Sequence, residues 1–261
     1  MKFSGKYRES VETKIDTKET GKEMKGLGTL INVAFIIIGG LLGNLFGNRL
    51  PQRYQDTIMK ANGVAVLFIG IGGAMSQMLT IHEMSLETQG TMMMTVSLSL
   101  GAILGEVLRI DYRLEQFGEW LKRKTGNAKE TGFVDGFVTA TMTVCIGAMA
   151  VIGSIEDGIY GDYSILLAKA ILDLVIIMIM SASLGKGCIF SALPVGVFQG
   201  GITLCAGFLA PMITDKSMAY LSFVGSILIF CVGINLLWER KIKVTNLLPA
   251  LLIAVFWSYV G

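Results

Sequence analysis

Long uninterrupted apolar stretches dominate this sequence of 261 residues and constrain its fold more than any other feature. A helix needs about 20 predominantly apolar residues to cross the hydrocarbon core of a bilayer. Only 16% of the residues are charged, against about 25% in an ordinary soluble domain. The sequence therefore predicts an all-α, polytopic membrane helix bundle, and it excludes a soluble enzyme or a nucleic-acid-binding protein with a basic face. The apolar stretches are 28–47, 61–79, 91–108, 133–153, 163–183, 187–210, 218–238 and 246–260.

The two ends of the chain leave alternatives open. Because the stretch 246–260 is short, we expect about eight spans and keep seven as the alternative. Residues 1–26 hold seven Lys or Arg and five Asp or Glu without an apolar run, which predicts a polar, flexible tail before a single transmembrane domain, 27–261. Met24 is an alternative start, so the tail is interpreted either as native or as a non-native extension.

Basic residues fall almost entirely into alternate loops between the predicted spans. Thirteen Lys or Arg follow spans one, three, five and seven, whereas the opposite loops carry one, Lys216. Because cytoplasmic loops carry the excess of Lys and Arg, we expect both termini outside the cytoplasm. The basic tail precedes span one and would therefore lie outside the cytoplasm, which conflicts with this orientation. A start at Met24 would remove most of that conflict. The thirteen residues are Arg49, Arg53, Lys60, Arg109, Arg113, Lys122, Arg123, Lys124, Lys129, Lys186, Arg240, Lys241 and Lys243.

Glycine is abundant, with 32 residues, and several glycines recur at helical spacing. Gly39, Gly43 and Gly47 form one row, and Gly101 and Gly105 form a second. Small residues at this spacing let helix backbones approach closely, which predicts Gly-rich packing and allows a homo-oligomer through these faces. A glycine-lined pathway is the alternative. Internal repeats are suggested by two pairs of similar segments, 97–101 with 181–185 and 73–75 with 147–149.

Motifs for catalysis and metal binding are missing from the sequence. His82 is the only histidine, and no HExxH, GxSxG or Walker phosphate loop occurs. The four cysteines are widely spaced in apolar stretches, which is typical of small buried side chains rather than of a disulfide frame or a zinc site. We therefore expect no enzymatic activity, no cofactor, no metal site and no nucleotide-driven pumping.

An acidic and a basic residue lie in the middle of the fifth predicted span. Asp173 falls at its centre, and Lys169 precedes it by four residues, so both share one helix face. Ionisable groups at membrane depth cost about 2.5–3.5 kcal/mol and mark functional sites by default. Two interpretations stay open. The residues form either a buried ion pair that only lowers the cost of both charges, or a proton- or cation-coupling site in which Lys169 holds Asp173 charged.

The sixth predicted span combines helix-breaking residues with one strong hydrogen-bonding side chain. Pro194 and Gly200 lie near its middle together with Gln199. Proline frees an upstream carbonyl and glycine permits non-helical backbone, so the cluster predicts a broken helix that can bind an ion or a carboxylate. A simple kink packed by neighbouring helices is the alternative. With Asp173 and Lys169, these three residues are the candidates for substrate or ion binding.

Two carboxylates end the fourth span on the predicted outer side. Glu156 and Asp157 are adjacent there. A cluster of negative charge raises the local concentration of cations, so the pair is a candidate for an external acidic mouth. The alternative is that both are solvated cap residues of a short loop.

Four stretches carry a family resemblance. They are Gly28-Thr29-Leu30-Ile31-Asn32-Val33 running into Gly39-Gly40-Leu41-Leu42-Gly43; 145–158, which reads CIGAMAVIGSIEDG; Leu193-Pro194 with Gln199-Gly200; and Asn246-Leu247-Leu248-Pro249-Ala250. Over about 28–261 the chain resembles the YqgA/YdfK-type family of uncharacterised bacterial membrane proteins, the domain of unknown function 554. The resemblance implies a bacterial cytoplasmic (inner) membrane protein, of a family often guessed to be a transporter. It carries over no catalytic or binding residue.

We therefore expect a secondary transporter or ion-conducting protein for a small solute or ion. Asp173 and Gln199 would form its central site, and Lys169 would tune Asp173. The alternative is a non-transporting assembly or regulatory subunit held in the bilayer by its glycine faces. In that case Asp173→Asn would affect folding or partner recovery alone.

Overall fold

The structure of the protein is a computed structural model. It describes residues 25–47, 49, 51–82, 85–238 and 242–260. The predicted tail, apart from Lys25 and Gly26, lies outside the described residues, as do Arg240 and Lys241. Eleven α-helices form within the described ranges. They are α1 Leu27–Gly47, α2 Gln52–Met78, α3 Thr91–Leu108, α4 Ile110–Lys124, α5 Phe133–Cys145, α6 Ala148–Tyr160, α7 Ser164–Leu184, α8 Ala192–Leu204, α9 Ala206–Leu209, α10 Asp215–Leu237 and α11 Pro249–Val260.

Short elements connect some of these helices. Three 3₁₀ segments occur at Lys186–Ser191 before α8, at Ala210–Met212 after α9 and at Val244–Leu247 before α11. An antiparallel hairpin of β1 Leu79–His82 and β2 Ser85–Thr88 joins α2 to α3. The apolar pattern of the sequence did not predict this hairpin. Its small size leaves the architecture an all-α polytopic bundle, as predicted.

Judged by their length and composition, fewer than eight helices can cross a membrane. Six helices of the described residues are long and apolar enough to cross a membrane, and α5 with α6 makes a seventh if the bent pair counts as one span. The stretch at 246–260 forms only a shorter apolar helix. About 20 residues are needed to cross the hydrocarbon core. The alternative of seven spans therefore agrees better with the structure than the count of eight.

The helix break occurs in a different place from the one predicted. Helix α8 runs without interruption from Ala192 to Leu204, with Pro194 in its first turn, where a missing N–H does no harm. The break lies instead between α5 and α6, whose axes differ by 64°. Gly147 adopts φ +153° at this point, a conformation that only glycine reaches without strain. The break predicted near Pro194 and Gly200 therefore does not occur, although the sixth stretch changes from a 3₁₀ segment to an α-helix at Ala192 and α8 ends at Leu204. The sharp bend lies in the fourth span.

Glycine rows set the closest helix contacts, as predicted. A Cβ atom added at Gly39, Gly43 or Gly47 would lie 2.4, 2.0 or 2.4 Å from carbonyl oxygens of α7. A Cβ at Gly105 would lie 1.8 Å from the Asn246 carbonyl oxygen, and one at Gly101 would lie 2.5 Å from a backbone nitrogen of α11. Both rows are covered by helices of the same chain, so a homo-oligomer through them would have to displace α7 or α11.

The helices of the bundle begin and end at two opposite faces. Helices α1 and α7 run in parallel, since Gly28 contacts Leu166 near their starts and Gly47 contacts Ala182 near their ends. We call the face where α1 begins the first face and the face where it ends the second face. Helix α8 runs back from the second face to the first. The segments suggested as repeats occupy different positions, since 73–75 lies inside α2 and 147–149 lies at the helix break.

Candidate ion- and solute-binding site

The predicted charged pair lies in the middle of the bundle. Asp173 lies about 14 Å into α7, a helix about 31 Å long. Both Lys169 and Asp173 are buried, with exposed fractions of 6% and 4%, and the Lys169 ammonium pairs with the Asp173 carboxylate. They share their face of α7 with apolar residues such as Leu166 and Ile177. An isolated charge would be very costly here, so the pairing is what allows both residues to be buried.

The break between α5 and α6 supplies a second partner for the lysine. Lys169 Nζ donates a hydrogen bond of 2.8 Å to the Val144 carbonyl oxygen. The last carbonyls of a helix have no partner within the helix, and they carry the negative end of the helix dipole. Val144 is the penultimate residue of α5. The ammonium group therefore neutralises a carboxylate and a helix end together.

Two buried amides continue the polar site from the carboxylate. Asn32 of α1 lies beside the Asp173 side chain, and its Nδ2 donates a hydrogen bond of 3.2 Å to Gln199 Oε1 of α8. Both amide residues are 0% exposed. Asn32 Oδ1 and Gln199 Nε2 have no hydrogen-bond partner among the described residues. One acceptor and one donor in the bundle interior are thus available to a ligand.

A second polar layer lies closer to the first face. The Oγ1 atoms of Thr29 and Thr203 are 3.5 Å apart, on the same pair of helices as Asn32 and Gln199. Ser154 of α6 is fully buried, and its hydroxyl has no partner within the described ranges. Helix α6 packs against both α1 and α8. Polar groups therefore continue from the central pair toward the start of α1.

Asp157 closes this arrangement at the first face. Its carboxylate accepts hydrogen bonds from the backbone N–H of Gly26 at 3.2 Å and of Gly28 at 3.1 Å, so α6 caps the amino end of α1. An acidic side chain is favourable at a helix amino end. We call the whole set the polar column. Its members are Asp157, Ser154, Thr29, Thr203, Asn32, Gln199, Asp173 and Lys169.

The structure brings together some of the predicted site residues and separates others. Asp173 and Lys169 lie with Gln199 in the column, and a Cβ at Gly200 would lie 4.0 Å from the Thr29 methyl group, at the same helix interface. Pro194 lies in the first turn of α8, more than a turn before Gln199. It does not belong to the central site.

The two carboxylates of the predicted acidic mouth differ from each other. Asp157 is fully buried and caps α1, so its carboxylate does not face an open entrance. Its neighbour Glu156 is half-buried. The interpretation of Asp157 as a helix cap agrees better with the structure. The helix that it caps is α1, whereas Asp157 itself belongs to α6.

Sequence reasoning missed part of the column. From its sequence position Asn32 is expected to bridge helices, as it does to Gln199, but it is not predicted as a binding residue, and Thr29 and Thr203 were not considered. A signal was available, because Thr29 and Asn32 are three residues apart and Gln199 and Thr203 are four apart, each pair on one helix face. Ser154 gave no such signal.

The column consists of hydroxyl and amide groups, the Lys169–Asp173 ion pair and, at the first face, the Asp157 carboxylate. Within the described ranges, no group of three or more His, Cys, Asp and Glu residues could hold a metal ion. Carbonyl, carboxylate and amide oxygens bind hard monovalent cations, and amide or hydroxyl donors bind anionic or polar solutes. The arrangement can therefore bind a small polar solute or a cation.

Apolar helices of spanning length around a buried polar column define an integral membrane protein. The chain belongs to the family described as Protein of unknown function (DUF554), whose model matches residues 27–259. This confirms the resemblance seen in the sequence motifs.

Two relatives are similar in sequence to most of the chain. The chain is 30% identical over 226 residues to the Uncharacterized membrane protein YdfK of Bacillus subtilis (strain 168), an alignment that covers 87% of the chain and 93% of the relative. It is 28% identical over 233 residues to the Uncharacterized protein YqgA of Escherichia coli (strain K12), with 88% and 94% covered. No solved structure matches the chain.

Proposed function

We propose that the protein is a secondary transporter or ion-conducting protein that moves a small solute or ion along the polar column. The observation that carries this proposal is the buried Lys169–Asp173 pair beside Asn32 and Gln199. Each of these two amides has a polar atom without a hydrogen-bond partner in the described part of the chain. Buried polar groups in native proteins are nearly always paired, and exceptions call for an explanation. Binding of a polar solute or ion at these atoms supplies one.

The broken span supports the same function. Transporters commonly place their binding sites near the bilayer midplane, where discontinuous helices present carbonyls and dipole ends. Here the break between α5 and α6 lies beside Lys169 and the centre of α7. Aspartate and glutamine at midplane depth would bind the solute or ion, and Lys169 would set the charge state of Asp173.

The expected location is the bacterial cytoplasmic membrane, with the first face outside. The basic residues Arg49, Arg109 and Lys186 follow helices that end at the second face, and Lys216 lies at the first face. Cytoplasmic loops carry the excess of Lys and Arg. In a Cys205→Ser background, which removes an exposed thiol, a cysteine at Asp162 should react with an impermeant external reagent. A cysteine at Arg123 should not, and the reverse pattern would overturn this orientation.

Charge movement in proteoliposomes tests the transport proposal directly. Wild type and Asp173→Asn would be compared across a panel of protons, alkali cations and small organic ions. We expect a solute-dependent current in the wild type that Asp173→Asn reduces by about 100-fold or more. A loss of that size corresponds to about 2.7 kcal/mol, a reasonable effect for a buried charge that contacts the transported species.

Glu106→Gln is the matched control. Glu106 is also an acid with a lysine partner, since Lys243 Nζ lies 3.2 Å from its carboxylate, but this pair is exposed at the second face. The control should retain the current. Silence of folded wild-type protein across the panel would contradict the proposal and favour a non-transporting assembly or regulatory subunit.

A further inference from the structure

The Lys169 ammonium contacts oxygen atoms of two different helices. It pairs with the Asp173 carboxylate of α7, and Nζ donates a hydrogen bond of 2.8 Å to the Val144 carbonyl oxygen of α5. Asn32 of α1 lies beside Asp173, and its buried amide oxygen has no partner in the described residues. The ammonium is thus held by one carboxylate and one backbone carbonyl, next to a buried amide.

The chemistry of these groups matches a monovalent cation. Unwound backbone carbonyls and half-helix carboxyl ends coordinate Na⁺ in transporters with discontinuous helices. The carboxyl end of α5 is such a half-helix end, because the span breaks three residues after Val144. A divalent ion would leave excess positive charge beside the single carboxylate of the site. The site therefore suits one positive charge.

We propose that the Lys169 ammonium is a covalently attached substitute for an alkali cation, in a site formed by the Val144 carbonyl and the Asp173 carboxylate beside Asn32. The wild-type protein consequently needs no Na⁺, K⁺ or Li⁺ at this position to complete its fold. Removal of the Lys169 side chain converts the protein into one that binds such an ion in place of the ammonium. This inference goes beyond the proposed function, since ion binding at this position can be measured without transport.

Thermal stability of Lys169→Ala in different salts tests this site. Wild type and variant would be prepared in detergent in NaCl, KCl, LiCl or choline chloride at equal ionic strength. Lys169→Ala leaves the buried carboxylate unpaired, so we expect it to be much less stable than wild type in choline chloride. One alkali cation should raise its melting temperature by about 5–10 °C at a concentration near 100 times the dissociation constant. The wild type should show no such ion-specific shift.

Two further variants separate the site from general salt effects. Lys169→Ala/Asp173→Ala removes the carboxylate as well, and it should lose the ion-specific shift. Lys186→Ala removes a lysine that pairs with Glu130 at 2.9 Å near the second face, and it should show none. Methylammonium chloride should stabilise Lys169→Ala more than choline chloride does, because its small ammonium group can occupy the same position.

Every outcome of this experiment decides the question. Recovery of folded Lys169→Ala in one alkali salt but not in choline chloride supports the cation site even if the variant is too unstable for melting curves. Equal stability in all four salts overturns the proposal. Failure to recover the variant in any salt also overturns it, since a cation bound at this site would neutralise the uncompensated buried charge of Asp173. An ion-specific shift in a protein that carries no current would retain this inference while contradicting the transport proposal.

Discussion

Two helix pairs of this bundle use the same packing device but differ in what they enclose. Helices α1 and α7 meet along Gly39, Gly43 and Gly47, where the backbones almost touch. Helices α2 and α10 meet in the same manner, since a Cβ at Gly70 would lie 2.5 Å from the Phe230 backbone nitrogen, and a Cβ at Gly73 would lie 2.3 Å from Ser226 Oγ. Close backbone contact drives helix association in lipid, where a hydrophobic force between helices is absent.

The difference between the pairs lies in their charges. The buried residues of α10 are apolar or small, with two serines and no charged side chain. The buried face of α7 carries Lys169 and Asp173. Helix α10 packs closely against α2 without a buried charged side chain of its own, so close helix packing does not require one. The comparison favours the proposal that the polar column serves a function, whereas the glycine rows serve the fold.

Replacement of the ion pair by apolar side chains should give the largest effect. Asp173→Leu alone leaves a buried lysine uncompensated, and we expect it to lower the free energy of unfolding by about 3–5 kcal/mol. The double variant Lys169→Met/Asp173→Leu should be as stable as wild type or more stable, by up to about 4 kcal/mol, because no charge remains buried. Unfolding by SDS titration measures both.

In this series of variants, we expect the transport current to depend on the charges of Lys169 and Asp173 and not on stability. The double variant is expected to be inactive in the proteoliposome assay although it folds well. Ser226→Val, a substitution in the α2–α10 interface, should leave the current unchanged. A double variant that is both stable and fully active would refute a functional role for the pair.

Substitution of interface glycines should destabilise both helix pairs to a similar degree. Gly43→Ala places a methyl group 2.0 Å from the Met178 carbonyl oxygen, and Gly70→Ala places one 2.5 Å from the Phe230 backbone nitrogen of α10. We expect each to cost about 1–3 kcal/mol, because the helices must separate to relieve the overlap. Gly72→Ala is the control, since no atom lies within 4 Å of its added Cβ. An unchanged unfolding curve for Gly43→Ala would contradict the observed packing.

The two buried amides should matter less to stability than to transport. Asn32 and Gln199 share one hydrogen bond, while one polar atom of each has no partner among the residues that the structure describes. Replacement of both amides by apolar groups can be nearly neutral for stability, so Asn32→Leu/Gln199→Leu should change the free energy of unfolding by about 1 kcal/mol or less. We expect the transport current to fall by about tenfold, which corresponds to about 1.4 kcal/mol. A destabilisation of several kcal/mol with an unchanged current would assign these residues to the fold instead.

The comparison also shows which features the sequence could predict. Spans and glycine rows follow from composition and helical spacing, and both were predicted. The Lys169–Asp173 pair follows from i, i+4 spacing within one helix. Contacts between helices have no such periodic signal, so the joining of Asn32 to Gln199, 167 positions apart, could not be predicted. The break was assigned to the span with proline, but the proline lies in the first turn of α8, and the conformation of a single residue, Gly147, marks the actual break.

Removal of helix caps should have the smallest effect on stability and transport. The caps also allow the two helix pairs to be compared at the starts of their helices. Helix α10 caps itself, since Thr214 Oγ1 accepts from the Ser217 N–H at 3.1 Å, whereas α1 is capped by Asp157 from α6. Thr214→Ala and Asp157→Ala should each cost about 1 kcal/mol of stability. Only Asp157→Ala should also reduce the transport current, because its cap holds α6, and with it Ser154, against the start of α1. Equal currents in the two variants would show that the first-face end of the polar column is structural, and would confine the functional site to Asp173 and its immediate partners.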